Sequence, residues 1–198
     1  MVAVRLHVDL RLLLVLILGA TCWGILGSPA ATARVAEPDP RWVFYSGDTH
    51  RYTSPWWPGA RRTMIGYGCT RAPYYSPDPR CGSGHGFHHG IDIALPCGTA
   101  IRAGRAGRVV PATAYGPAYG ERPLLIRNRR FGVDILVAHA RAVYVDVGTK
   151  VERGMLLARS SDSGAPDGCH LHLEVRTLGG GLSTARSPVP FLDREQVG

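Results

Sequence analysis

Gly168-Cys169-His170-Leu171-His172-Leu173-Glu174-Val175-Arg176 alternates side-chain character residue by residue, the period-two pattern of a β-strand whose successive side chains point to opposite faces. His170, His172 and Glu174 therefore share one face, and Cys169, Leu171 and Leu173 share the other. The apolar face anchors the strand in a core. The polar face sets two imidazoles side by side, one able to ligate a metal and its neighbour able to carry a proton. Cys169 points away from both, which argues against its being a ligand of the same ion.

A second cluster lies upstream in Phe87-His88-His89-Gly90-Ile91-Asp92, where an imidazole and a carboxylate stand four residues apart. They can converge on one ion if the chain turns at Gly90, which has no side chain to resist it. His88 and Asp92 are the expected pair, with His89 as a substitute by register and His85 as a third choice. Joined to His172, they make a set of two imidazoles and one carboxylate, which suits catalytic zinc and leaves its fourth tetrahedral position to water. Zinc brings the pKa of such a water toward neutrality and polarises a carbonyl, which makes amide hydrolysis feasible. Proton transfer and stabilisation of the developing oxyanion then fall to His170, beside His172, and to His139, at the end of Val133-Asp134-Ile135-Leu136-Val137-Ala138.

Around these clusters the chain from about Met64 onward is built of short β-prone runs split by Gly and Pro: 91–95, 107–110, 124–127, 133–139, 142–147 and 170–176. No amphipathic helical period interrupts them, so the expected fold is mainly β, an antiparallel sheet system with sizeable loops. Gly98-Thr99-Ala100-Ile101 and Gly148-Thr149-Lys150-Val151 echo one another, which predicts two similarly built hairpins within one sheet system. Residues 34–62 hold Trp42, Trp56 and Trp57 among four prolines with no regular period, and read as an extended lead-in that lays its aromatics on the domain.

Arg5 and Arg11 followed by the apolar run from Leu12 to Leu26 and by Ala31-Thr32-Ala33 form an export signal cleaved near Ala33; at about 15 residues the run is short for a bilayer span. The expected organisation is a signal peptide over 1–33, the lead-in over 34–62, one catalytic domain over 63–193 and a tail over 194–198. The exported part is then secreted or associated with the cell wall, with no membrane contact after processing. Cys69, Cys81, Cys97 and Cys169 survive the cleavage, and an even number in an exported chain points to two disulfides. Cys69 with Cys81 is the favoured local bridge, which leaves Cys97 with Cys169. The formal charge of +8 falls to +7 on processing (21 basic minus 14 acidic). Lys150 is the sole lysine, an arginine preference that reads as the coding bias of a GC-rich bacterial genome. The positive charge fits attraction to an anionic polymer such as a cell wall, and no nucleic-acid motif accompanies it.

Taken in order, His88-x-x-x-Asp92, Gly98-Thr99-Ala100-Ile101, Ala138-His139, Val147-Gly148-Thr149-Lys150-Val151 and His170-Leu171-His172-Leu173-Glu174-Val175 resemble the lysostaphin-type zinc metallopeptidases, peptidase family M23 or LytM-like endopeptidases. The likeness runs from about Met64 to Leu192 and includes the closing Pro188-Val189-Pro190-Phe191-Leu192. It implies a compact antiparallel β-sheet core with extended loops lining a groove, and one zinc held by His88, Asp92 and His172. It further implies that His139 and His170 act on the water and the tetrahedral intermediate, and that the substrate is a peptidoglycan cross-link or stem peptide. Departures are Cys169 where proline is usual, Val137 where tyrosine is common, and Cys97 before the Gly-Thr turn; they bear on substrate choice and loop rigidity. Two other readings compete: a non-hydrolytic LytM-like module that binds the wall or activates an amidase, and a zinc peptidase acting on secreted or host protein.

Overall fold

The computed structural model describes residues 38–112 and 115–198; the signal segment assigned to 1–33 lies outside the described residues. In chain order the strands are β1 (Arg51–Ser54), β2 (Trp57–Arg61), β3 (Thr63–Ile65), β4 (Gly68–Thr70), β5 (Gly86–His88) and β6 (Gly90–Ala94). They continue with β7 (Ala100–Arg102), β8 (Gly107–Val110), β9 (Leu124–Asn128), β10 (Val133–Ala138), β11 (Ala140–Arg141) and β12 (Lys150–Val151). β13 (Leu156–Ser160), β14 (His170–Thr177), β15 (Ala185–Arg186) and β16 (Glu195–Val197) follow. Among the described residues the helical elements are single 3-10 turns, and no helix is long and apolar enough to cross a membrane.

The main sheet runs β12-β8-β9-β10-β14-β6-β3, with β15 also paired to β14. Every pairing in it is antiparallel, as the alternating runs and short connections predict. β14 sits near its centre, and Leu171, Leu173 and Val175 are fully buried with Ile91, Ile93, Ile126, Ile135 and Val137. Its polar face is covered as well: His170, His172, Glu174 and Arg176 are each no more than 6% exposed. A buried row of ionisable groups demands partners, and it finds them within β14, at Asp92 on β6, and in the loops that carry Tyr119 and Gly168.

Four differences from the expected layout have physical causes. The chain does not turn at Gly90, which lies inside β6; the bend falls at His89. Gly90 is needed for room instead, since a Cβ there would lie 2.7 Å from Cε1 of His172. Residues 142–147 do not form a strand: Ala142 takes a left-handed φ of 45°, and the segment tucks Val145 into the core while Tyr144 makes a backbone bond to Leu157. The two Gly-Thr units both begin at positive-φ glycines, Gly98 and Gly148, but lead into different sheets, β7 joining β11 and β13 while β12 edges the main sheet. Finally, the stretches assigned to lead-in and tail pair with each other in a three-stranded sheet β16-β1-β2. Trp56 and Trp57 enter the main core from it.

Both disulfides are formed as favoured, Cys69 with Cys81 and Cys97 with Cys169. The second ties the residue before His170 to the loop after β6.

Candidate metal centre

Strand register does most of the assembly. Asp92 on β6 lies directly opposite His172 on β14, and Ala138 at the end of β10 lies opposite His172 from the other side. Directly opposed residues share a face, so the carboxylate meets the imidazole: Oδ1 of Asp92 is 2.8 Å from Nδ1 of His172. The bend at His89 brings His88 back over β6, with Nε2 3.1 Å from His172 Nδ1 and 3.5 Å from Asp92 Oδ1. His139 follows β10 in the left-handed region, φ 51°, a strained conformation for a non-glycine residue that turns its ring toward β14. Its ring centroid lies 4.4 Å from that of His170.

Each imidazole has one nitrogen occupied by a fixed acceptor. Carbonyl oxygens only accept, so Nδ1–H donates to Gly66 O in His88 (3.0 Å), to Ser163 O in His139 (2.8 Å) and to Gly168 O in His170 (2.9 Å). In the neutral form of such a ring Nε2 is left with its lone pair facing the cluster. His172 is held the other way round: Nε2 meets Glu174 Oε1 at 3.0 Å and Nδ1 faces Asp92. Arg176 in turn fixes Glu174 through Nε at 2.7 Å and reaches the hydroxyl of Tyr119 at 3.1 Å.

The electrostatics of the cluster favour a cation. Burial acts to raise Asp92, but His88, His170 and His172 outweigh it and hold the carboxyl well below its usual range; Glu174 is likewise held down, against its own burial, by His172 and Arg176. Burial acts to lower His172, yet the bond and charge of Asp92, then those of Glu174, push it up to about 10. Burial dominates at the other two rings, taking His88 down to about 4, and His139, beside His170 and His172, down to about 3. Nitrogen and oxygen donors at about 2.0–2.1 Å around a tetrahedral zinc stand roughly 3.3 Å apart. The 2.8, 3.1 and 3.5 Å separations of His172, His88 and Asp92 match that spacing, so the donor set fits such an ion. The other cluster of potential ligands among the described residues, Asp39 with Cys97 and Cys169, has both sulfurs spent in a disulfide.

All five residues singled out in the sequence, His88, Asp92, His139, His170 and His172, therefore meet at one place. The substitutes do not: His89 points to Arg80, 3.0 Å away, and stacks near Phe87, and His85 lies outside the group. Beside His139 and His170 opens a cavity of about 120 Å³, walled by Tyr74 and Tyr75 on one side and by Ala118 and residues 164–167 on the other. Its two loops interlock, Glu121 N donating to Ser163 Oγ at 3.1 Å. Tyr74 closes the wall by donating its hydroxyl to Asp167 at 3.0 Å. Roomier hollows elsewhere, one of 490 Å³ under Arg129, contain no histidine. Sequence reading missed Tyr74, Tyr75, Tyr119 and Asp167 as site residues. Glu174 and Arg176 carried a signal, since period two puts both on the face of His172.

Residues 86–184 match the family described as Peptidase family M23. Lysostaphin from Staphylococcus staphylolyticus is 29% identical over 144 residues, which cover 73% of this chain and 28% of that protein. Glycyl-glycine endopeptidase ALE-1 from Staphylococcus capitis is 33% identical over 120 residues, 60% of this chain and 32% of the relative. The chain thus spans about a third or less of the length of these curated relatives. Among solved structures, LytU superposes with a TM-score of 0.55 at 29% identity, covering 66% of this chain and 83% of that one.

Proposed function

The chain belongs to peptidase family M23, and from that membership we propose that it is a zinc-dependent endopeptidase hydrolysing peptide bonds of bacterial peptidoglycan, in the cross-link or the stem peptide, after export through its N-terminal segment. The observation that carries this reading is the convergence of His88 Nε2, Asp92 Oδ1 and His172 Nδ1 within 3.5 Å of one another, next to two further imidazoles. His88, Asp92 and His172 would hold the ion. Zinc bound there supplies the Lewis acidity that makes water nucleophilic near neutral pH and polarises an amide carbonyl.

The remaining chemistry belongs to the chain. His170, its Nδ1–H fixed on Gly168 O, presents Nε2 to take a proton from the attacking water and to return it to the leaving amine. His139 is the second proton carrier, kept neutral by burial and aimed by Ser163 O. Tyr74 and Tyr75 line the cavity in which the scissile segment would lie. The name of one relative, peptidoglycan DD-endopeptidase ShyA from Vibrio cholerae, 29% identical over 104 residues, supports peptidoglycan as the substrate class.

The test is zinc analysis of the purified protein together with mass spectrometry of muropeptides before and after digestion of several wall types. About one zinc per chain and new amino groups from at least one wall type are expected, with both lost in His172→Ala. A zinc-loaded, folded protein that leaves every wall type unchanged would overturn the proposal.

A further inference from the structure

Far from the histidines, the main sheet ends in cations that hydrolysis does not use. Lys150 on β12 stands opposite Arg108 on β8, and Arg108 stands opposite Arg127 on β9. Directly opposed residues share a face, so the three form a row across strands about 4.8 Å apart. Like charges in that position destabilise a sheet. Asp134 relieves Arg127 with bonds of 2.9 and 2.8 Å, and Glu152 relieves Lys150 at 3.1 Å. Arg108 reaches the carbonyl of Gly148, and among the described residues no carboxylate pairs with it or with Arg129, which stands just past the end of β9.

The row borders open space. A hollow of about 270 Å³ is lined by Gly107, Arg108, Val110, Arg127 and Arg129, and the 490 Å³ hollow next to it shares Arg129 and adds Lys150. Neither lining contains Asp or Glu. Arg127 and Lys150 have their carboxylates, so the repulsion retained lies with Arg108 and Arg129, and it is offset when negative charge seats between the cations. The row spans roughly 10 Å from β12 to β9, too far for one small ion, so the complementary ligand carries repeated charges. Phe131 is the single aromatic ring of the larger hollow and the smaller has none, short of the row of rings on which successive bases of single-stranded nucleic acid stack. Val110, Val151 and Phe131 are the large apolar side chains of the two hollows, too little apolar area to enter a bilayer.

We propose that Arg108 and Arg129, with Lys150 and Arg127 beside them, form a binding track for a linear polyol-phosphate polymer, an anionic wall component whose phosphodiester charges seat between the cations. The identification of the polymer with the wall rests on the peptidase reading above; the track itself does not.

The experiment measures binding of soluble poly(glycerol phosphate) to the full chain over a salt series, beside a single-stranded oligonucleotide of matched charge and vesicles of phosphatidylglycerol. Arg108→Gln/Arg129→Gln should weaken polymer binding about tenfold or more at low salt and flatten the log–log salt slope by about two. Arg71→Gln/Arg186→Gln, which removes the same charge from exposed positions elsewhere, should change it little. Equal losses in the two double variants, or no polymer binding by the unaltered protein, overturn the track. Tighter binding of the oligonucleotide or of the vesicles overturns the choice of ligand in favour of nucleic acid or a membrane surface. Thermal unfolding checks that both variants fold. Hydrolysis of soluble muropeptides free of the polymer is followed separately and should survive in Arg108→Gln/Arg129→Gln, so failure of the peptidase reading and failure of the track give different results.

Discussion

His172 offers Nδ1 to the centre because Glu174 occupies its Nε2, and Glu174 is itself held by Arg176. Partners of this kind set the tautomer and orientation of a ligating ring, and their loss typically weakens metal binding 10–100-fold. Glu174→Gln should therefore lower zinc affinity by about that factor, read by competition with a chelator, and should also cost about 3–5 kcal/mol of stability, because it leaves the buried Arg176 guanidinium without its carboxylate. The two proposed proton carriers should behave differently. His139→Ala and His170→Ala are expected to keep their zinc and lose about 10²–10⁴-fold in turnover, whereas Asp92→Ala should lose the metal itself; a His170→Ala protein that came out zinc-free would reassign that ring as a ligand. Much of this was legible at the residue scale. Period-two alternation put His170, His172 and Glu174 on one face before any contact was known. The choice of His88 over His89 was less so, because it depends on a bend at His89, which the glycine beside it obscured. Tyr74, Tyr75 and Asp167 left no trace, since loop residues have no period to reveal which way they point.

The lead-in acts on the site strand as a clamp. Asp39 accepts the N–H of Cys169 at 3.0 Å and binds Arg41, while Trp42 donates its indole N–H to Cys169 O at 2.6 Å. Gly168 permits the approach, since a Cβ there would lie 2.7 Å from the Asp39 carboxylate. The Arg41 guanidinium, opposed by burial and helped by the Cys169 amide, holds the Asp39 carboxyl well below the usual carboxylate range. A depressed native pKa means that the ionised form stabilises the fold fully above the unfolded value of about 3.9, and that this contribution is lost as pH falls through the native value. Asp39→Asn should accordingly cost about 1–3 kcal/mol at pH 7, with a gap to the unaltered protein that stays constant down to about pH 5 and narrows below about pH 4. Denaturant melts across that range measure it; a gap that widened on acidification would contradict the assignment. The lead-in's aromatics announced a packing role in the sequence, whereas its partner did not, because a single Asp-to-amide bond 130 residues away has no local pattern.

On the scale of the whole molecule, the strands were readable but their order was not. Runs such as 107–110 and 124–127 announced themselves as β-prone residues bounded by Gly and Pro, yet which strand lies beside which depends on pairings between distant segments that no short window contains. The three-stranded sheet β16-β1-β2 is the clearest case: its strands have three to five residues, too few for a period to stand out, and it closes the two ends of the described chain on each other. Trp56 is where that closure meets the core. It is wholly buried, donates its indole N–H to Phe191 O at 3.0 Å, and lies over Gly104, where a Cβ would come within 2.1 Å of Nε1. Gly104→Ala must therefore displace the indole, break its bond to the C-terminal segment and strain the packing between the β1–β2 hairpin and the main sheet. Overpacking of this kind costs about 1–3 kcal/mol, a fall in Tm of roughly 2–10 °C for a chain of this size. Gly47→Ala, where a Cβ meets nothing within 4 Å, should change stability by no more than about 0.5 kcal/mol. Both variants should bind zinc as the parent does, because Trp56 belongs to the hydrophobic core and not to the imidazole cluster. If Gly104→Ala instead melted with the parent, the contact between Trp56 and β7's following turn would carry none of the cohesion assigned to it.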